Sequence, residues 1–319
     1  MQPNTLKSLA LIPLLALSAC TVSGPGDRFR EVLPDDRVLI NLPTQDAAKD
    51  AADGEWSEYY LFTAKVTDDV NGLIGFTLVL VDTITKLEPA QVDEEEQSAV
   101  WGPYSDALDP VETLLWVDYD AEADTYAWAF QQKPKGSEDD AYVTVVAGVV
   151  DEGATHEVHS GRFAIDFTTM QELDPNVGLS GVFYSDYDVQ EAGVVATAAF
   201  EAVDDRDEET VDALYAYDQT FSGEGAMDLA WLADATGNGQ EETHIVRSRW
   251  TNRGEGRSDA YLTGGQLGEI AGTVSECWDG RFNAVYRIEQ FLGQTDEEGD
   301  LGACAWDQAE WSEDAEPQE

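Results

Sequence analysis

Between residues 112 and 289 the apolar side chains keep a period of two, broken only by short turns rich in Gly, Asp and Asn. This pattern restricts the fold more than any other feature of the chain. In "TYAWAFQ" (125–131), Tyr126, Trp128 and Phe130 point to one side, while Ala127 and Ala129 point to the other. Such alternation marks a strand with one face buried. "AYVTVVAGVV" (141–150) is apolar on both sides and reads as a strand covered on both faces. "HSGRFAIDF" (159–167) gathers His159, Phe163, Ile165 and Phe167. Strands are also expected at 112–119, 180–187, 193–202, 210–221, 226–234, 242–252, 258–264, 268–276 and 281–289, with one helical turn inserted at 166–175. The turns suit hairpins, so each strand should pair with the next. A sheet about a dozen strands wide curls, splits or closes.

Ahead of the strands the period changes. Trp56, Tyr60, Thr63, Val66, Val70, Ile74, Thr77, Val81 and Ile84 recur at spacings of three and four, the mark of one helix face. Pro89 ends the pattern, and some 30 residues at 1.5 Å each make a helix of roughly 45 Å. Gly72 and Gly75 weaken its interior. Its densest apolar run, Val70 to Val81, is flanked by Asp68, Asp69 and Asp82. A bilayer span needs about 20 apolar residues, so this helix should pack on protein. The concave side of a curled sheet is the surface available to it. The expected fold is therefore mainly β: a large curled antiparallel meander, half-barrel or barrel-like, with one long N-terminal helix on its concave face. No internal repeat or second domain is evident, and 53–306 reads as one domain followed by an acidic tail, 307–319. A transmembrane barrel would carry an outward apolar band. Arg247 and Arg249 share a strand face, and Asp186, Glu201, Asp212 and Asp228 lie in or beside strands, which argues against one.

Charge narrows the function classes. The chain has 65 Asp and Glu against 17 Lys and Arg, a formal net charge of −48. Nucleic-acid binding rests on cationic contacts to phosphate, so that class is set aside. Anionic lipid surfaces are repelled as well unless something else holds the protein there. Acidity of this degree suits solubility or high salt, with acidic-ligand or cation binding as the sharper alternative.

The N-terminus supplies such a hold. Lys7 and the free amine precede a ten-residue apolar run, Ser8 to Leu17, and then Leu17-Ser18-Ala19-Cys20. The run is too short to span a bilayer and reads as a secretory signal, residues 1–19. Leu-Ser-Ala-Cys resembles the lipobox of bacterial lipoproteins. That resemblance implies cleavage before Cys20, a thioether-linked diacylglycerol on its sulfur and acylation of the new amine, an anchor of three chains. Thr21 after the cysteine then suggests sorting to the outer membrane. Residues 20–52, broken by Pro34 and Pro43, read as the lipidated cysteine and a flexible tether, with a short strand at "RVLINL" (37–42).

Several constellations invite chemistry. Cys277 and Cys304 form an even pair in an exported chain, which suggests a disulfide. His156, Glu157 and His159 lack the helical spacing of a zinc protease site. Asp118, Asp120, Glu122 and Asp124 stand at alternate positions and offer oxygens to calcium, although a solvated hairpin tip explains them as well. "DATGNGQEE" (234–242) starts like a calcium loop but has Ile245 at the twelfth position, and a Gly-Asn-Gly turn accounts for it. Arg247, Arg249, Arg253 and Arg257 concentrate positive charge in an acidic chain, either to seat an anion or to pair with flanking acids. No nucleophile elbow or phosphate loop is present, and no cofactor is implied.

The order of anchor, tether, helix and curled sheet resembles, in architecture alone, the lipoprotein-localisation carriers, whose half-barrel cups an acyl chain under helical cover. It implies a non-enzymatic, lipid-anchored envelope protein that binds an apolar ligand or protein partner in its sheet. Trp56, Tyr60, Val70, Ile74 and Val81 are then the helix residues expected to face the ligand. The alternatives are a structural or surface lipoprotein with a filled core, and a periplasmic hydrolase with convergent carboxylates or His159 in a cleft. Whether the helix fills the sheet's concavity separates the first two.

Overall fold

The computed structural model describes residues 26–43, 55–95, 97–151, 155, 157–204, 210–234, 239–265, 268–291 and 293–311. The expected signal segment, Cys20, Thr21 and the end of the acidic tail lie outside the described residues. Among the described residues no helix is long and apolar enough to cross a membrane.

The chain forms one antiparallel sheet of fifteen strands. In order they are β1 (Gln91–Asp93), β2 (Ser98–Tyr104), β3 (Val111–Asp120), β4 (Thr125–Pro134), β5 (Val143–Asp151), β6 (His159–Asp166), β7 (Ser180–Val189) and β8 (Gly193–Asp204). There follow β9 (Val211–Thr220), β10 (Gly225–Ala233), β11 (Glu242–Trp250), β12 (Gly256–Gly264), β13 (Gly268–Trp278), β14 (Ala284–Phe291) and β15 (Gln294–Gly299). Each strand pairs with the next, and β1 and β15 remain as two edges, so the meander is not closed into a barrel. All twelve expected strands are present as β3 to β14. The expected helical turn is α3 (Phe167–Leu173), capped by the Asp166 carboxylate accepting from the Thr169 amide; the two N-terminal helices are α1 (Asp27–Glu31) and α2 (Glu58–Thr85).

Three strands do not appear in the sequence reading, each for a physical reason. β2 contains Pro103, and its register against β3 slips between Trp101 and Tyr104. β1 is only three residues long. β15 reads "QTDEEG", with no apolar side chain, and is exposed throughout. A very short strand and an acidic one make poor templates for pairing with another chain, which protects the two edges of an open sheet.

The helix α2 buries Tyr60, Thr63, Thr67, Val70, Ile74, Thr77, Val81 and Ile84, still at spacings of three and four. Thr67 takes the place expected for Val66, and Trp56 stands before the helix, bridged to Asn283. Ser57 is the N-cap and accepts from the Tyr60 amide at 2.9 Å. Glu276 of β13 completes the cap, accepting from the Tyr59 amide at 3.1 Å and from the Ser57 hydroxyl. A carboxylate there also complements the positive end of the helix dipole.

The two ends of α2 show that the sheet curves around it. Glu58 at its start binds Arg287 of β14, and the Leu87 carbonyl just past its end accepts from the Trp101 indole of β2 at 3.1 Å. From β2 to β14 the sheet runs about 58 Å along its surface, at about 4.8 Å per strand. The 28 residues of α2 are only about 42 Å long. A path longer than its chord must bend, so α2 lies on the concave face.

Residues 26–43 correct the expectation of a flexible tether. Phe29, Leu33, Val38 and Ile40 are buried in the main core. The strand expected at 37–42 is absent: the Asp35 carboxylate accepts from the Arg37 amide and closes a 3-10 turn over Asp36–Val38. The Ile40 backbone then pairs with the Asn71 amide group of α2 at 2.9 and 2.8 Å rather than with a strand. Asn41 pairs in the same way with Gln219 of β9. The segment thus forms a second strip of cover on the concave face, beside α2.

Large aromatic side chains lie across that face on facing glycines. Trp128 covers Gly148, Trp250 covers Gly225 and Trp278 covers Gly256, each the residue opposite in the neighbouring strand. A Cβ added at Gly256 would stand 2.0 Å from the Trp278 ring, and one at Gly148 2.5 Å from Trp128.

Candidate functional site: an aromatic cleft beside the helix

Rows of facing residues cross the concave side of the sheet. One runs Trp101, Leu115, Phe130, Val146, Ile165, Phe183, Phe200 and Ala213, then Trp231, His244, Leu262 and Gly272. Its neighbour ends on Leu229, Val246, Ala260 and Val274. From β2 to β7 the first row carries bulky side chains, Trp101 to Phe183, which are buried in the core that includes α2 and the 26–43 strip. From β11 to β13 it passes through His244 and Leu262 to Gly272, and its neighbour through Val246, Ala260 and Val274, while α2 has reached its N-terminal turn. The floor falls away there, and a cleft of about 380 Å³ is left open.

Its walls are aromatic. Tyr59 and Phe62 of α2 form one side, and Trp231 and His244 of β10 and β11 the other. The Phe62 and Trp231 rings are 5.7 Å apart, and Trp231 stacks on His244 at 4.7 Å with an interplanar angle of 17°. Val246, Ala260, Leu262, Gly272 and Val274 make the apolar floor. Such a concave, mostly apolar site with few polar groups is the usual form of a small-molecule pocket.

Two polar groups tune the cleft. Burial lowers the pKa of His244 below that of an ordinary histidine, against the opposing pull of Glu242 and of a hydrogen bond to the Ala233 backbone. The ring is therefore neutral at neutral pH, and its buried Nε2 has no hydrogen-bond partner among the described residues. Burial pushes the Tyr59 phenol up to about 12, with Arg287 acting the other way and Glu276 adding to the rise. At the mouth stand Glu58 and Arg287. Arg287 binds Glu58, Glu289 and, at 2.9 Å, Glu276. Burial works against its charge, but these carboxylates outweigh it and hold the pKa above the usual arginine value.

The cleft residues differ from those expected. Tyr60, Val70, Ile74 and Val81 are core residues, buried under α2, and Tyr60 stacks on Phe282 at 4.1 Å. The helix turns its neighbouring face, Tyr59 and Phe62, to the opening. Helical periodicity finds the buried stripe, whereas the cleft opens at the border of that stripe, where the sheet no longer follows the helix.

Cys277 and Cys304 form the expected disulfide, with Cα atoms 5.5 Å apart. Arg247, Arg249 and Arg257 do converge, on the convex face opposite α2, but their anions come from the chain itself. Arg247 binds Asp228 at 2.5 Å and Glu310 at 2.9 Å, and Arg257 binds Asp259 at 2.8 Å. Arg249 also binds Glu310, and its guanidinium lies 5.0 Å from the centre of the Trp306 ring. Arg253 sits apart in an exposed turn with Glu255. The tail expected from 307 onward is consequently docked through Glu310, whose amide donates to Asp259 at 2.9 Å.

Asp118, Asp120, Glu122 and Asp124 surround the β3–β4 turn. Asp120 accepts from the Glu122 and Ala123 amides, and Asp124 accepts from the Tyr119 hydroxyl. Among the described residues no group of three or more His, Cys, Asp or Glu converges as metal ligands do. In the 234–242 loop the Asp234 carboxylate accepts from the Gly239 amide at 2.6 Å, and 235–238 lie outside the described residues. His156 also lies outside them, and His159 is buried beside Tyr187, with Asp35 3.6 Å from its Nε2.

Comparison with family models, curated proteins and solved structures finds no match for this chain.

Proposed function

We propose that this chain is a lipid-anchored protein of the bacterial cell envelope that holds an apolar ligand, without catalysis, in the cleft between α2 and β10–β13. The observation that carries this reading is the cleft itself. The helix and the 26–43 strip cover the concave face over most of its width, yet leave about 380 Å³ of aromatic-walled space at one end. A purely structural lipoprotein would have its concavity filled. The lipobox at Leu17–Cys20 supports an anchor in the envelope, by way of the outer membrane, and the charge of −48 argues against nucleic acid as the occupant.

A neutral naphthylamine probe tests the ligand reading, with the full chain carrying Cys20→Ser so that acyl chains do not compete for the probe. Saturable fluorescence enhancement is expected, together with its loss in Ala260→Phe, which fills the floor of the cleft. Binding unchanged in Ala260→Phe would place the probe elsewhere and remove the support. Metabolic labelling with a radioactive fatty acid, present in the wild type and lost in Cys20→Ala, tests the anchor separately.

A further inference from the structure

A second cleft of about 350 Å³ adjoins the aromatic one and is lined by Glu55, Trp56, Glu58, Glu276, Tyr286 and Glu298, among others. Glu58 and Arg287 border both openings. The two clefts have contrasting chemistry: the first is aromatic and aliphatic, and the second holds four carboxylates. The sheet explains the change. Its third concave row passes through Ser248, Ser258, Glu276, Arg287 and Glu298, becoming polar and then charged as it leaves the core for the β15 edge.

Arg287 does not balance this charge. It is already bound to Glu58, Glu276 and Glu289, which leaves Glu55 and Glu298 without a cation among the described residues and Glu58 with a largely exposed carboxylate. Trp56, more than a third exposed at 39%, lines the same cleft as these acids. Aromatic faces attract cations, most strongly where carboxylates add to the field. An anionic head group would meet four acids against one occupied guanidinium, in a chain that is itself strongly negative.

We propose that the two clefts form one site for an amphiphilic organic cation. Its apolar body lies against Tyr59, Phe62 and Trp231, and its ammonium or amidinium end lies among Glu55, Glu58 and Glu298 beside Trp56. The proposal rests on the apolar-ligand reading above and adds the sign of the ligand's charge.

Calorimetric titration of the full chain carrying Cys20→Ser with decyltrimethylammonium, decyl glucoside and decanoate, all well below micelle formation, tests both statements. The cation is expected to bind about tenfold more tightly than the neutral ligand, and decanoate most weakly. That preference should shrink at high salt and in Glu55→Gln/Glu298→Gln, two exposed positions. Equal affinity for the three ligands would overturn the proposal and leave the apolar site standing. Cation binding that survives in Ala260→Phe would also overturn it, since the ligand would then sit on the acidic surface at large. No binding of any ligand, with the naphthylamine probe also failing, would remove the site altogether.

Discussion

Single residues set where this concave face is filled and where it is open. A tryptophan on a facing glycine fills the row of Gly225, Trp250, Gly256 and Trp278, whereas Ala260, with only Val246 and Val274 opposite it, leaves the cleft floor low. The glycine is required because an added methyl group would meet the ring directly. Gly256→Ala should therefore cost about 1–3 kcal/mol by overpacking, read as a shift of the urea midpoint at constant slope. An unchanged midpoint would show that Trp278 yields freely. His244 carries a pH signature. Its folded pKa lies below its unfolded value of about 6.5, so the unfolded chain takes up a proton that the folded chain refuses. Stability is thus lost as pH falls below about 6.5, until the folded ring is protonated too. His244→Phe should flatten that part of the stability profile relative to wild type. Parallel profiles in the two proteins would rule this out.

At the scale of elements, a strap on the convex face answers the helix on the concave one. The Cys277–Cys304 bond, the Trp306 carbonyl held by Arg257 at 3.1 Å, the Gln308 carbonyl held by Arg249 at 3.1 Å, and Glu310 together tie the last described residues across β11 to β13. Arg249 and Arg257 face each other directly across β11 and β12, where like charges repel. Asp259 and Glu310 are what allow them to stand together. Replacing both cysteines by serine should cost about 3–4 kcal/mol in the chain-entropy picture. It should also make the segment after residue 300 sensitive to limited proteolysis while the sheet persists. If the strap stays protected without the disulfide, the arginine cluster alone holds it. The four arginines were legible in the sequence, as was pairing with flanking acids such as Glu255 and Asp259, but Glu310 was not, because it lies about 60 residues from Arg249 and only the fold brings them together.

For the whole molecule, charge and curvature dominate. A net charge of −48 opposes compaction, and salt screens it over about 10 Å at 0.1 M. The melting temperature should rise between 0.05 and 1 M potassium chloride; a flat or falling curve would mean that ion pairs such as those of Arg287 outweigh the general repulsion. The sequence by itself determined the class of fold: twelve strands by their period of two, the long helix by spacings of three and four, and the sequential pairing by short turns. These are local signals, carried by each segment alone. It also marked the disulfide pair. It could not show the acidic edge strand β15, which has no apolar pattern to read, nor the packing of residues 26–43, whose apolar side chains lack a period. The cleft belongs to the tertiary structure for a different reason. It depends on cross-strand register, which lines up small residues from β11 to β13, and on where a 28-residue helix begins along a longer curved sheet. Neither length nor register is a property of any one segment, so the opening appears only when helix and sheet are placed together.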